Sequence, residues 1–259
     1  MRPHLITSYD ELEGLGLLLK RILSSGQRNG AYLEILGCLL SMDFHLERWK
    51  RFGKLREEYL KAGGEFTRKG WDRATRVYTN RQDRPTKPSY LKRLVAFPDK
   101  PRRWEGPAKE GLNQIDKISI ELARKPGFSN LSFVILRPAD LHDQFRPGYV
   151  PCAIAGDFKF RNAKIDLNVM FRTSDALSVG YADIYYMRLL QMQVLQQARA
   201  LNASLSMAEI GSLNMYLCRT YIQRSRKNKS GDRLDGLEAA KAVVDLIQGH
   251  RVAGWNEGL

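Results

Sequence analysis

The chain of 259 residues sets 42 lysines and arginines against 28 aspartates and glutamates, a formal charge of +14, with 43% apolar and 10% aromatic residues. That is enough chain for one large domain with a substantial core, or two small ones, and the charge favours an anionic ligand. No apolar run approaches the roughly 18 residues of a membrane helix, and Met1-Arg2-Pro3-His4 lacks the apolar stretch of a secretory signal. A cytoplasmic protein with no membrane partner is therefore expected. Cys38, Cys152 and Cys218 show no CxxC or Cys/His spacing, which argues against a disulfide framework or a zinc site and for reduced thiols.

In chain order, Ser8-Tyr9-Asp10-Glu11 has capping-box spacing, and Leu12, Leu15, Leu18, Leu19 and Ile22 follow at helical intervals up to Gly26. Residues 32–40 read as a strand containing Cys38. Between Arg48 and Lys109, 19 basic residues face 7 acidic ones, and the Gly and Pro content predicts short helices mixed with long surface loops. A block that basic can track a phosphate backbone, collect the charge of a small ligand, or be a solvated face. All three readings stay open here. Residues 113–124 predict a helix carrying Ile115, Ile118, Ile120 and Leu122, broken at Pro126-Gly127, and residues 131–136 read as a buried strand.

The clearest unit follows. Ile154, Phe158 and Phe160 alternate with smaller or polar residues, Arg161-Asn162-Ala163 forms a turn, and Ile165, Leu167, Val169 and Phe171 alternate again. That pattern is an antiparallel hairpin with one buried face. Cys152 falls where its first strand begins, and Arg172 where its second ends. A helix over 182–201 places Ile184, Met187, Leu190, Val194, Ala198 and Leu201 on one stripe. Another over 234–248 carries Leu237, Val243, Val244 and Ile247 and stops at Gly249. Strands mixed with segregated helices predict an α+β layered domain, a single domain over 1–259 with divergent stretches at 48–110 and 219–259.

Residues 151–216 resemble the thymidylate synthase superfamily. Pro151-Cys152 precedes the hairpin, and Arg172-Thr173-Ser174-Asp175 follows at a separation of 20. Asp183 stands where the family has a helix Asn, and Gly211 with Asn214-Met215-Tyr216 is similar to the closing motif, allowing one inserted residue. The resemblance implies a layered fold with a mixed or antiparallel sheet flanked by helices, and a homodimer. It implies 5,10-methylenetetrahydrofolate as cofactor and a pyrimidine nucleotide as substrate.

The chemistry explains the residue types. C5 of a pyrimidine is a poor nucleophile until a thiolate adds at C6. The resemblance gives that role to Cys152, with Arg172 keeping the thiol ionised and contacting phosphate. It carries Ser174, Asp175, Asn214 and Tyr216 over as substrate-binding residues, with Arg28 of Arg28-Asn29-Gly30 as a phosphate arginine and Glu57 as the proton-relay glutamate, for which Glu58 competes. A surface arginine and an exposed helix glutamate are the plainer readings of Arg28 and Glu57.

Four departures shape the expected function. At Asp183, Asn would pair with uracil, whereas a carboxyl group can accept from a 4-amino group and, if protonated, donate to N3, which complements cytosine. This resembles the cytidylate hydroxymethylase branch; a helix N-cap is the alternative. The family's paired phosphate arginines fall on Ser129-Asn130, so a clamp would have to be rebuilt from Arg124, Lys125 or Arg137. The tryptophan of the folate site is not recognisable, though Trp104 could serve, and the tail ending Trp255-Asn256-Glu257-Gly258-Leu259 differs from the family's lid. The expected activity is hydroxymethylation of CMP or dCMP. Methylation of a uracil nucleotide is the alternative within the family, and a basic, non-catalytic nucleic-acid-binding relative the alternative outside it.

Overall fold

Asp10 starts the first helix. Its carboxylate accepts from the Glu13 N–H at 2.7 Å, and Glu13 reaches back to the Tyr9 N–H at 3.0 Å. The capping box thus lies two residues later than the Ser8 start predicted from sequence, because Ser8 ends a strand, β1 (His4–Ser8). Helix α1 (Glu11–Ser25) buries Leu15, Leu18, Leu19 and Ile22, and the Gly26 N–H closes it on the Ile22 carbonyl. The structure, a computed structural model, describes residues 3–79, 88–97, 111–137, 140, 150–227 and 230–255, with side chains to 250. Trp104 and the tail 256–259 lie outside the described residues.

The chain divides into two compact units, each gathered from separated stretches. Unit 1 comprises Met1–Ala74, Thr173–Tyr185 and Leu213–Leu259, and unit 2 comprises Thr75–Arg172 and Tyr186–Ser212. No single cut separates them, which is why no linker shows in the sequence.

Unit 1 carries a mixed sheet. β1 runs parallel to β3 (Tyr32–Met42), and β3 pairs antiparallel with residues 213–223 of the long strand β8 (Glu209–Gln223). β2 (Gln27–Asn29) turns back on β3 through Gly30, whose φ of 53° suits a glycine. The two-residue β7 (Ser174–Asp175) runs parallel to β8. Cys38, Leu40, Met42, Leu213, Met215 and Leu217 are buried along β3 and β8. Three helices follow closely, α2 (Leu46–Lys54), α3 (Arg56–Ala62) and residues 64–74 of α4 (Gly64–Tyr78). The last helix, α8 (Gly236–Trp255), packs on α1. A Cβ on Gly16 would lie 2.9 Å from Ile247 Cγ2, so a larger residue there would force α8 away. Gly249 does not stop α8. One glycine costs about 1 kcal/mol in a helix interior, and His250 beyond it is anchored to Glu58 of α3 at 3.0 Å.

Unit 2 is built on an antiparallel sheet ordered β6-β5-β4, formed by β4 (Ser132–Val134), β5 (Ala153–Arg161) and β6 (Lys164–Phe171). The predicted hairpin is β5–β6, with Phe158, Ile165, Leu167, Val169 and Phe171 buried. Its two turn residues, Asn162 and Ala163, have φ of 50° and 56°, the left-handed pair that a tight hairpin needs. Its helices are α5 (Tyr90–Val95), α6 (Gln114–Arg124) and residues 186–201 of α7 (Gly180–Leu201). Ile115, Ile118 and Leu122 of α6 are core, but Ile120 is 49% exposed, off the predicted stripe. The Gln114 side-chain amide bonds both the N–H and the carbonyl of Val134, closing that length of strand edge. Parallel and antiparallel strands with flanking helices make the chain α+β in composition. No helix among the described residues is long and apolar enough to cross a membrane.

Candidate functional site

In unit 2, strand pairing brings two of the predicted residues together. Ala153 is opposite Phe171 in the hairpin, so the residues just outside, Cys152 and Arg172, are neighbours. The Arg172 N–H donates to the Cys152 carbonyl at 2.7 Å. Arg172 is exposed, and its guanidinium reaches the Val150 carbonyl at 3.4 Å. Cys152 is half-buried, and none of the three cysteines is in a disulfide. Beyond it the β5–β6 register shifts between Ala153 and Ala155, and the N–H groups of Ile135 and Leu136 both donate to the Ile154 carbonyl. Such a bulge bends a strand and re-aims the side chains beside it.

Tyr90 is the residue that sequence reasoning missed. It is 2% exposed on α5, and its hydroxyl oxygen accepts from the N–H groups of Cys152 at 2.8 Å and Ala153 at 3.2 Å. Its ring stands edge-on to Tyr78, which stacks on Tyr186. Nothing in Ser89-Tyr90-Leu91-Lys92 announces a partner 62 residues away, so only the fold reveals it.

The three cations considered for a rebuilt phosphate clamp are engaged elsewhere in unit 2. Arg124 is bonded to Glu121 at 2.7 and 3.1 Å, Lys125 lies over the Phe128 ring at 5.7 Å, and Arg137 is bonded to Asp140 at 3.0 Å. Ser129 and Asn130 are exposed and bond each other. Burial would raise the Asp140 pKa, but the bonds from Arg93 and Arg137 outweigh it and hold the carboxyl below its ordinary range.

Unit 1 holds the remaining predicted residues. Asp183 is 4% exposed, its N–H bonded to the Val179 carbonyl, so it sits inside the first turn of α7 and does not cap that helix. The Ser174 hydroxyl donates to Asp183 Oδ2 at 3.1 Å. Asp175 accepts from the Ser178 N–H at 3.2 Å, and burial pushes its carboxyl up against the pull of that bond and of Arg73 and Arg226. The Tyr59 hydroxyl donates to the Leu177 carbonyl. Burial, then the charge of Asp175, pushes that phenol well up. Asn214 Oδ1 accepts from Ser41 at 2.6 Å, and Tyr216, paired with Leu39, is 42% exposed. Arg28 is exposed on β2.

Glu57 is an exposed residue of the first turn of α3, bonded to Arg56, and Glu58 is paired with His250. Neither carboxylate has the sheltered setting that a proton relay uses. A second feature missed from sequence lies nearby in unit 1. Trp49, Phe52, Tyr59, Trp71, Tyr181 and Tyr185 form one aromatic cluster, with Phe52 stacked on Tyr181 at 4.2 Å and Trp49 on Tyr185 at 5.2 Å. Trp71 and Tyr185 remain partly exposed, and Arg56 lies over the Trp71 ring at 5.4 Å. The tryptophans were legible singly, but helices α2, α3 and α4 and the start of α7 had to be placed before they became a surface. No group of three or more His, Cys, Asp or Glu side chains suited to a metal occurs among the described residues. No family model matches the chain, and no curated protein matches it.

Proposed function

We propose that the protein transfers a one-carbon unit from 5,10-methylenetetrahydrofolate to C5 of a cytosine nucleotide, CMP or dCMP, with Cys152 as nucleophile and a thymidylate synthase-like fold. The observation that carries the reading is the mouth of the β5–β6 hairpin. There a half-buried thiol and an exposed guanidinium, predicted as a pair from a 20-residue spacing, are joined by a 2.7 Å main-chain bond. A thiol that is accessible, anchored on both sides by its backbone and flanked by arginine suits attack at C6 of a pyrimidine.

Asp183 reads the base in this account. The Ser174 hydroxyl donates to Oδ2 at 3.1 Å and helps fix the carboxylate rotamer, and a carboxylate is the group type that accepts from an exocyclic amine. Asn214 and Tyr216, side by side on the less buried face of β8, offer hydrogen bonds to a sugar, and Arg172 offers charge to a phosphate. Asp175 holds the turn before α7 and so acts through its neighbours. Glu57 is assigned no proton relay, given its solvent-exposed pairing with Arg56.

The aromatic cluster fits the cofactor's chemistry. The partly exposed rings of Trp71 and Tyr185, with Arg56 over the former, suit a planar heteroaromatic group with an acidic tail. When bound, 5,10-methylenetetrahydrofolate supplies carbon at the formaldehyde level of oxidation. Leu5, 63% exposed, beside Leu39, 37% exposed, on paired strands supports a homodimer contact at the β1 side of that sheet face, next to Tyr216 on β8.

Asp183→Asn tests the base assignment. Its amide should shift preference from cytosine toward uracil nucleotides by about a hundredfold in the ratio of C5 tritium release. A ratio equal to that of the wild type sinks the cytosine assignment.

A further inference from the structure

Arg93 has no solvent exposure, Asp140 has 2% and Arg137 has 9%. Two guanidinium groups therefore share one carboxylate away from water. Arg93 donates to the two Asp140 oxygens at 2.5 and 3.0 Å, and to the carbonyls of Pro88 and Ile135. Arg137 donates to the same carboxylate through its backbone N–H at 2.8 Å and its side chain at 3.0 Å. Arg93 alone would neutralise Asp140. Among the described residues the second arginine leaves a buried positive charge, and its Nε has no acceptor there. An uncompensated buried charge is destabilising unless an anion balances it.

Two elements of unit 2 point to the anion. The N–H groups of Ile135 and Leu136 both donate to the Ile154 carbonyl, so the chain running from β4 to Arg137 lies antiparallel to the stretch leading back to Cys152. On α5, Tyr90 and Arg93 are three residues apart and so share a helix face. Tyr90 holds the Cys152 and Ala153 N–H groups while Arg93 holds Asp140. Arg172 is exposed, where water screens its charge. We infer that the Arg93–Asp140–Arg137 cluster supplies the positive field that sustains the Cys152 thiolate, with Arg137 as the positioning residue whose excess charge the thiolate balances. The inference rests on the reading of Cys152 as nucleophile but not on any particular substrate.

The test is iodoacetamide alkylation of the full chain from about pH 5 to about pH 9, resolved cysteine by cysteine by mass spectrometry, without folate or nucleotide. Among the described residues, Tyr90 and Arg172 bond the Cys152 main chain, Arg93 follows Tyr90 on α5, and Arg137 and Asp140 follow β4, so the signs of several variants are compared. Arg137→Gln should slow Cys152 about tenfold at neutral pH and move the rate profile up by about one pH unit. Asp140→Asn removes the carboxylate of the cluster and should move the profile the opposite way. Arg137→Lys keeps the charge and should keep the wild-type profile. A merely structural cluster would lower the melting temperature in all three variants and leave the profile in place. An unmoved profile in Arg137→Gln, or one moved in the same direction by Arg137→Gln and Asp140→Asn, overturns the inference. If Arg137→Gln does not fold, the direction of the Asp140→Asn shift decides alone, and if neither folds, loss of the wild-type profile in Arg137→Lys overturns it. Absence of C5 exchange with every pyrimidine would defeat the proposed reaction while leaving this result standing.

Discussion

Cys38 sits within a strand and Cys152 at the mouth of one, and their surroundings could hardly differ more. Cys38 is in the middle of β3, fully buried between Leu40 on its own strand and Leu217 opposite, and burial pushes its thiol up to about 11 despite Arg21. Cys152 precedes the first residue of β5, partly open to solvent, with its main chain held by Tyr90 on one side and Arg172 on the other. A cysteine inside a ladder is a small apolar residue. The same residue at a strand mouth, beside a bulge and arginines, is placed for chemistry. Position in the fold separates the two roles, and composition does not.

The contrast can be broken most directly at Tyr90. Tyr90→Phe keeps the ring contacts but leaves two main-chain donors without their acceptor, a loss of about 2 kcal/mol. Denaturant unfolding should show it, and Cys152 alkylation should change while Cys38 stays silent. A neutral Tyr90→Phe would mean that the Cys152 backbone needs no such anchor.

At Cys38 the prediction concerns alkaline pH. The unfolded thiol ionises near 9.0 and the folded one near 11, so between those values the unfolded chain sheds its proton first. The stability present below pH 9 should therefore fall by about 2 kcal/mol as pH rises to 11. Cys38→Ala should remove that part of the fall, which paired unfolding curves at pH 8 and about pH 10.5 would measure. Equal falls in both proteins would show the thiol to be less buried than described.

The smallest expected effect lies at the far end of the hairpin that carries Cys152. Ala163 has φ of 56°, a conformation that strains a residue with a Cβ. Ala163→Gly should stabilise the protein by about 0.5 kcal/mol, a small rise in melting temperature, without altering Cys152 reactivity. A fall in stability would mean that the turn conformation is wrong.

The same contrast marks what could be read from sequence. The hairpin was legible because strict alternation fixes both its register and its face, and register alone puts Cys152 next to Arg172. Helices α2, α3 and α4 were not, since single residues, Leu55 and Gly63, separate them and reset the helical phase each time. β8 was also missed as a 15-residue strand. Its outward positions hold Tyr216 and Cys218 among polar residues, which blurs the alternation of Leu213, Met215 and Leu217. The pairings of Tyr90 with Cys152 and of Arg93 with Asp140 link residues 62 and 47 positions apart. No local pattern encodes such a distance. In the same way, Gly249 read as a helix stop because the tertiary anchor at His250 was invisible.

The measurement closest to the central claim is release of tritium from C5-labelled CMP, dCMP, UMP and dUMP by wild type and by Cys152→Ala, with and without 5,10-methylenetetrahydrofolate. The account predicts release from a cytosine nucleotide by the wild type, reduced at least about a thousandfold in Cys152→Ala. Release that survives loss of the thiol, or no release from any of the four nucleotides, would contradict it.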